Sequence, residues 1–318
     1  MIIIPDGDLG YIPFDILLKE KVDDTHRNFG DLPYLLHDYR IQYGYSASLL
    51  FNDFQRMSES TNGRLLAFAP KYDDLEIDSV KGLSLGKFRD AVTSLKFNAP
   101  EVEQISEYVS GNTYTGEAAL EEVFKKQSGN SSILHLAMHA FVDDDNPMNS
   151  KLIFTQNNDS IEDNFLHAYE LYNMELPADL AVLSACETGF GKLEKGEGIM
   201  SLARAFSYAG CPSVVMSHWS VNDAATAKLM GSFYKHLADG LAKDHALQKA
   251  KLEFLRNADP AQANPFYWGS FVVMGNTEPI EIENDDVEWW SWVVGVLIVI
   301  TLAVIVRKRR SGMVGKVR

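Results

Sequence analysis

Residues 178–191 read ADLAVLSACETGFG: an apolar run, Leu180–Ser184, that stops at a cysteine followed by turn formers. Five other short apolar runs behave alike: Ile2–Ile4, Leu65–Ala69, Ile133–Ala137, Ser213–Ser217 and Phe271–Met274. Between them lie the amphipathic stretches Ser46–Met57, Pro100–Val109, Glu117–Gln127, Gly198–Tyr208, Ala224–Leu237 and His245–Arg256. Strands apolar on both faces, interleaved with helices, predict an α/β fold with a mostly parallel sheet. Residues 30–50, GDLPYLLHDYRIQYGYSASLL, are less regular and suit a hairpin or edge strand.

Open α/β sheets gather chemistry beyond the carboxyl ends of their strands. Three ends then matter. The run at 133–137 delivers Met138, His139 and Ala140; that at 180–184 delivers Ala185, Cys186 and Glu187; that at 213–217 delivers His218 and Trp219. All should meet at one edge.

The chain has 318 residues and a net charge of −15. Six basic residues and no acid fall in the last twelve positions, so the rest carries −21. Such an acidic body repels phosphate backbones, and nucleic-acid binding is not expected. Two cysteines, Cys186 and Cys211, are no disulfide framework.

Residues 289–306, WWSWVVGVLIVITLAVIV, are uncharged, with tryptophans at one end and RKRR beyond the other. This is the pattern of a transmembrane helix between an aromatic belt and a basic cluster. The expected division is a domain at 1–277, an acidic tether at 278–288, the span at 289–306 and a basic tail at 307–318. Positive residues favour the cytoplasmic side, which puts the body across the membrane. Yet MIIIPDGDLG is no export signal. It starts in a strand, as the C-terminal part of a longer protein would, and a tail anchor with the body in the cytoplasm fits equally. The side of the membrane stays open.

Cys186 ends a strand and enters a tight turn with Thr188, Gly189 and Gly191. Such a turn presents the sulfur and outward-facing N–H groups that stabilise an oxyanion. A thiol needs a base to become thiolate, and His139 ends a neighbouring strand. The pair points to acyl transfer, most simply peptide hydrolysis. CETGFGK has Lys192 where a phosphate loop needs arginine, and GFGKLEKGEG does not match G-x-G-x-x-G. HLAMH lacks the glutamate of a helical zinc pair, and no Cys-x-x-Cys is present. No metal or cofactor is expected.

Five blocks occur in order: IIIPDGDLGYIPFDIL, ILHLAMHAF, ADLAVLSACETGFG, EGIMSLARAFSYAGCPSVVMSHWSVNDAATAKLMGSFYKHL and NPFYWGSFVVMGN. Together they resemble CHAT domains over residues 1 to about 276. These group with the caspases, separases and gingipains. The resemblance implies a caspase-like three-layer α/β/α sandwich and a His139–Cys186 dyad. It implies an oxyanion hole from the backbone N–H groups of Cys186 and Ala140. The family usually has glycine at the second position, and alanine serves if its dihedrals are not left-handed.

WSVNDAAT looks like the separase segment whose acid binds a basic side chain beside the scissile bond. Asp223 would then set specificity; capping the helix 224–237 is the other reading. Family members often carry tetratricopeptide repeats, so a repeat or other regulatory partner is implied beside a protein or peptide substrate. Two positions depart from the family: Asn264 stands where histidine is common, in a turn-like setting, and His218 where an aliphatic residue is usual. His218 is expected to face solvent. Cys211, His135 and Trp268 read as core residues, Trp219 as a cleft wall, and Glu197 as an acid opening a helix. The whole reads as a membrane-anchored cysteine endopeptidase. The alternative is a membrane-tethered signalling scaffold of the same fold without turnover.

Overall fold

All six apolar runs are strands in the computed structural model, which describes residues 1–23, 28–55, 63–72, 95–143, 145–157, 162–185, 189, 191–194, 198–220 and 222–282. In chain order the strands are β1 (Ile2–Ile3), β2 (Gln42–Tyr43), β3 (Leu65–Pro70), β4 (Gly111–Gly116), β5 (Ile133–Leu136), β6 (His139–Phe141), β7 (Lys151–Ile153), β8 (Phe165–His167), β9 (Leu180–Leu183), β10 (Gly191–Glu194), β11 (Gly198–Ser201), β12 (Ser213–Ser217) and β13 (Phe271–Gly275). The α-helices are α1 (Ala47–Gln55), α2 (Asn98–Ser106), α3 (Glu121–Gln127), α4 (Ala168–Leu171), α5 (Leu202–Ala209), α6 (Asp223–Ala238) and α7 (Lys243–Asn257).

Eight strands form the central sheet, in the order β1-β2-β13-β12-β9-β5-β3-β4. From β4 to β12 the neighbours run parallel; β13 reverses against β12, and β2 and β1 follow β13. Both faces are buried, which is why the strands are apolar throughout rather than alternating. Leu66, Phe68, Leu134 and Leu136 point into one core with Phe124 of α3 and Phe206 of α5. Leu65, Ile133, Val182 and Val215 point into the other with Ile105 of α2 and Phe233 of α6. Each large side chain buried there contributes about 1.5–3 kcal/mol. The sheet is thus the middle layer between helices.

Several elements differ from the sequence expectations. β4 was unforeseen: GNTYTG is polar because it sits at the sheet edge, pairing only with β3. At Gly111 a Cβ would lie 1.9 Å from the Leu65 carbonyl oxygen, so the approach of β4 requires glycine. The helix expected from Gly198 starts at Leu202, because residues 198–201 pair with 191–194 as the hairpin β10–β11. Ser201 then caps α5, its Oγ accepting from the Arg204 N–H. Glu197 lies outside the described residues. Residues 30–50 form no hairpin; they supply β2, second from the sheet edge, and Tyr34 makes a lone bridge to Leu18.

Met1–Glu283 is one compact unit. Ile280, within the stretch read as a tether, is buried in the core shared with α6 and α7. The expected span 289–306 and tail 307–318 lie outside the described residues. Among the described residues no helix is long and apolar enough to cross a membrane.

Candidate active site

The carboxyl ends of β5, β9 and β12 meet as the parallel sheet demands. Met138, Ser184, Ala185, Ser217 and Trp219 line one narrow cleft with an empty volume of about 400 Å³, counting its open mouth. Met138 and Ala185, which line the cleft, directly precede the two expected catalytic positions, His139 and Cys186, in the sequence.

His139 is the first residue of β6, buried at 6% exposure, with its ring 4.6 Å from that of Tyr72. The Tyr72 hydroxyl is inserted between β6 and β7. It accepts from the His139 N–H at 2.9 Å and donates to the Ile153 carbonyl at 2.8 Å. His139 and Ile153 are register partners, so this hydroxyl replaces a direct ladder bond. The same register frees the next amide. Phe154 N–H donates to the Asn164 carbonyl and Ala168 N–H to that of Ser150, so residues 150, 152 and 154 turn their backbone groups toward β8. By the alternation of antiparallel ladders, Ala140, opposite Leu152, has its N–H directed away from β7. Among the described residues only Asn164 combines a side chain with positive φ, so Ala140 meets the condition set for replacing glycine.

Cys186, Glu187 and Thr188 lie outside the described residues, but both flanks of that segment are held. Ser217 Oγ donates to the Ala185 carbonyl at 2.6 Å, and Gly189 N–H donates to the Ser217 carbonyl at 2.8 Å. A Cβ on Gly189 would stand 2.9 Å from Met216 Sδ. The Tyr11 hydroxyl donates to the Gly191 carbonyl at 2.7 Å, tying the N-terminal segment to the far side of this loop. Neither Ser217 nor Tyr11 stood out in the sequence, because each acts through a partner distant along the chain.

Asp223 is the first residue of α6 and lines the cleft. The capping reading fails: Asn222 Oδ1 accepts from the Ala225 N–H, while Asp223 Oδ2 accepts from the Phe97 N–H at 2.7 Å. Burial raises the Asp223 pKa, opposed by the Phe97 amide and by the charge on His139.

His218 is a correction. It is only 4% exposed rather than solvent-facing. Its N–H donates to Ser270, and neither ring nitrogen has a hydrogen-bond partner among the described residues. Burial, with the nearby Lys251 charge, depresses its pKa to about 4. Position at a strand end fixed its place along the chain but not its burial.

The remaining assignments agree with the structure. Cys211 is buried before β12, and Trp268 is fully buried with its Nε1–H donating to the Ala263 carbonyl. Asn264 Oδ1 accepts from the Phe266 N–H in a turn. His135 is fully buried, its Nδ1 3.1 Å from the Tyr234 hydroxyl. Three carboxylates, Glu121, Glu162 and Glu170, converge as metal ligands might, but the Lys125 ammonium already sits 2.6–2.8 Å from each.

Tetratricopeptide repeat protein 28 of Homo sapiens is 29% identical over 116 residues, 36% of this chain and 5% of that protein. The Mus musculus protein of the same name is 30% identical over 111 residues, 35% of this chain and 4% of that protein. The chain thus spans about one-twentieth of the length of these relatives. Among solved structures, the Arg-specific cysteine proteinase gingipain R is 10% identical with a TM-score of 0.47, covering 82% of this chain and 60% of that one. Saccharomyces cerevisiae separase, in complex with securin, is 14% identical with a TM-score of 0.45, covering 78% of this chain and 14% of that one. Residues 1–276 match the CHAT domain, with every described element of the sheet and its helices inside that range, and the chain belongs to the CHAT domain family.

Proposed function

We propose that this chain is a cysteine endopeptidase with a Cys186–His139 dyad. Cys186 Sγ attacks the carbonyl carbon of a peptide bond as His139 takes the thiol proton. The N–H groups of Ala140 and Cys186 hold the oxyanion. His139 passes the proton to the departing amine, leaving a thioester; water, deprotonated by the same imidazole, hydrolyses it. No cofactor takes part. Asp223, half-buried in the cleft, favours a basic side chain beside the bond. Residues 289–306 tether the domain to a bilayer, and a tetratricopeptide-repeat or other partner controls access to the cleft.

The reading is carried by one observation: Met138 and Ala185, the residues directly before His139 and Cys186 in the sequence, line the same cleft at the ends of different strands. Cleavage of a mixed-sequence peptide library tests it, in the full chain and with its partner added. Cys186→Ala or His139→Ala should each reduce cleavage by at least about 1,000-fold with folding intact. Cleavage unaffected by either change contradicts it. A wild type inert in every condition points to the scaffold instead. The Asp223 role predicts that Asp223→Ala reduces the preference for arginine or lysine over leucine by about tenfold; an unchanged preference removes it.

A further inference from the structure

Two side chains of α2 bind the ends of three strands. The backbone ladder between β5 and β9 stops at Leu136 and Leu183, three residues short of His139 and of Cys186. Past that point the ladder no longer fixes the gap between the two strands. Asn98 and Glu101, one turn apart on the same face of α2, take over there. Asn98 Nδ2 donates to the Pro70 carbonyl at 2.8 Å and to the Ala137 carbonyl at 3.3 Å, joining the ends of β3 and β5. At the end of β9, Ser184 Oγ donates to Glu101 Oε1 at 2.5 Å. His135 Nε2, on β5, lies 3.0 Å from the same oxygen, so the carboxylate stands between β5 and β9. The other ring nitrogen of His135 meets the Tyr234 hydroxyl of α6 at 3.1 Å.

All five of these polar side chains are buried. A hydroxyl bonded to a carboxylate is about twice as strong as a bond between neutral groups. Val102 and Ile105, fully buried in the core, hold α2 itself in place. We propose that Glu101 is a positioning residue acting through Ser184: with Asn98 it braces the ends of β5 and β9 that lead to His139 and Cys186. That this spacing serves catalysis rests on the peptidase reading; the brace itself does not.

Hydrogen exchange of the full chain, read on peptides covering residues 133–139 and 180–185, tests the brace. Glu101→Ala should speed exchange in both by at least about tenfold, with α7 unchanged. Ser184→Ala removes only a hydroxyl and carries the test should Glu101→Ala lose its cooperative melting transition; it should act on residues 180–185 by about the same factor. Glu101→Gln, whose amide oxygen still accepts from Ser184, should stay within about threefold of wild type. Exchange at wild-type rates in the folded Glu101→Ala or Ser184→Ala protein overturns the proposal, as does a Glu101→Gln protein as loose as Glu101→Ala.

Positioning also predicts effects that a general loss of stability does not produce. In peptide cleavage, Glu101→Ala or Ser184→Ala should lower kcat about tenfold with KM within about twofold, and the double variant should fall no further than either alone. The pH profile of Cys186 alkylation should move by about one pH unit toward the 8.5 of a free thiol. An active wild type whose kcat and alkylation profile survive both substitutions removes the positioning role alone. An inert wild type with loosened strand ends in Glu101→Ala removes the peptidase and keeps the brace.

Discussion

The carbonyl of Ala185 and the amide of Gly189 both end on Ser217, so one strand residue holds the two sides of the Cys186 segment. Ser217→Ala leaves the Ala185 carbonyl without its donor and should cost about 1 kcal/mol in denaturant unfolding. It should also slow alkylation of Cys186 about tenfold, a readout that a general loss of stability does not move. His218 makes a different prediction. Its folded pKa of about 4 lies below the ordinary 6.5, so above pH 6.5 its contribution to stability is complete. As pH falls from 6.5 toward 4, the unfolded chain binds a proton that the folded one refuses, and stability declines by on the order of 3 kcal/mol. His218→Leu should flatten this part of the pH–stability curve and melt higher than wild type at pH 5; identical slopes contradict the assignment. The strand ends that carry His139, Ala140 and the approach to Cys186 were legible because strand ends are local features. Ser217 and Glu101 were not, because their roles lie in partners 32 and 83 residues away.

Among the elements, the strands buried on both faces were legible almost residue for residue. Ser213–Ser217 was read with its exact limits, and Phe271–Met274 missed only Gly275. Apolar continuity marks burial, but it carries no direction, and the reversal of β13 against β12 was invisible. Polar β4 and the hairpin β10–β11 lack that continuity and were missed. Gly275 closes β13 at φ +88°, where a Cβ would fall 2.1 Å from the Pro212 carbonyl oxygen. Gly275→Ala combines a left-handed conformation with a backbone collision and should cost about 2–4 kcal/mol, lowering the melting temperature on the order of 5–10 °C. A loss under 1 °C contradicts this close approach. The Asn222 cap on α6 accounts for a smaller amount, about 1 kcal/mol on Asn222→Ala.

Across the whole domain, the N-terminal segment is tied to the sheet by a buried ion pair. Lys251 of α7 bonds the Asp15 carboxylate and donates to the Phe271 carbonyl. Removing one partner strands a charge in the core, so Asp15→Ala should cost about 3–5 kcal/mol, while Asp15→Leu with Lys251→Met should recover most of it. Two melting curves check this pair. The same packing brings Tyr11 to the Gly191 carbonyl and sets three strand ends around one cleft, so the chemistry proposed for the cleft depends on the domain folding as a unit. The most direct test of that chemistry is the rate of alkylation of Cys186 by iodoacetamide across pH 5–9, with Cys211 buried and slow to react as an internal control. A thiolate already formed below pH 7, and lost in His139→Ala, is the result expected from a working dyad. A Cys186 that titrates near 8.5 like a free thiol, with or without His139, would contradict it.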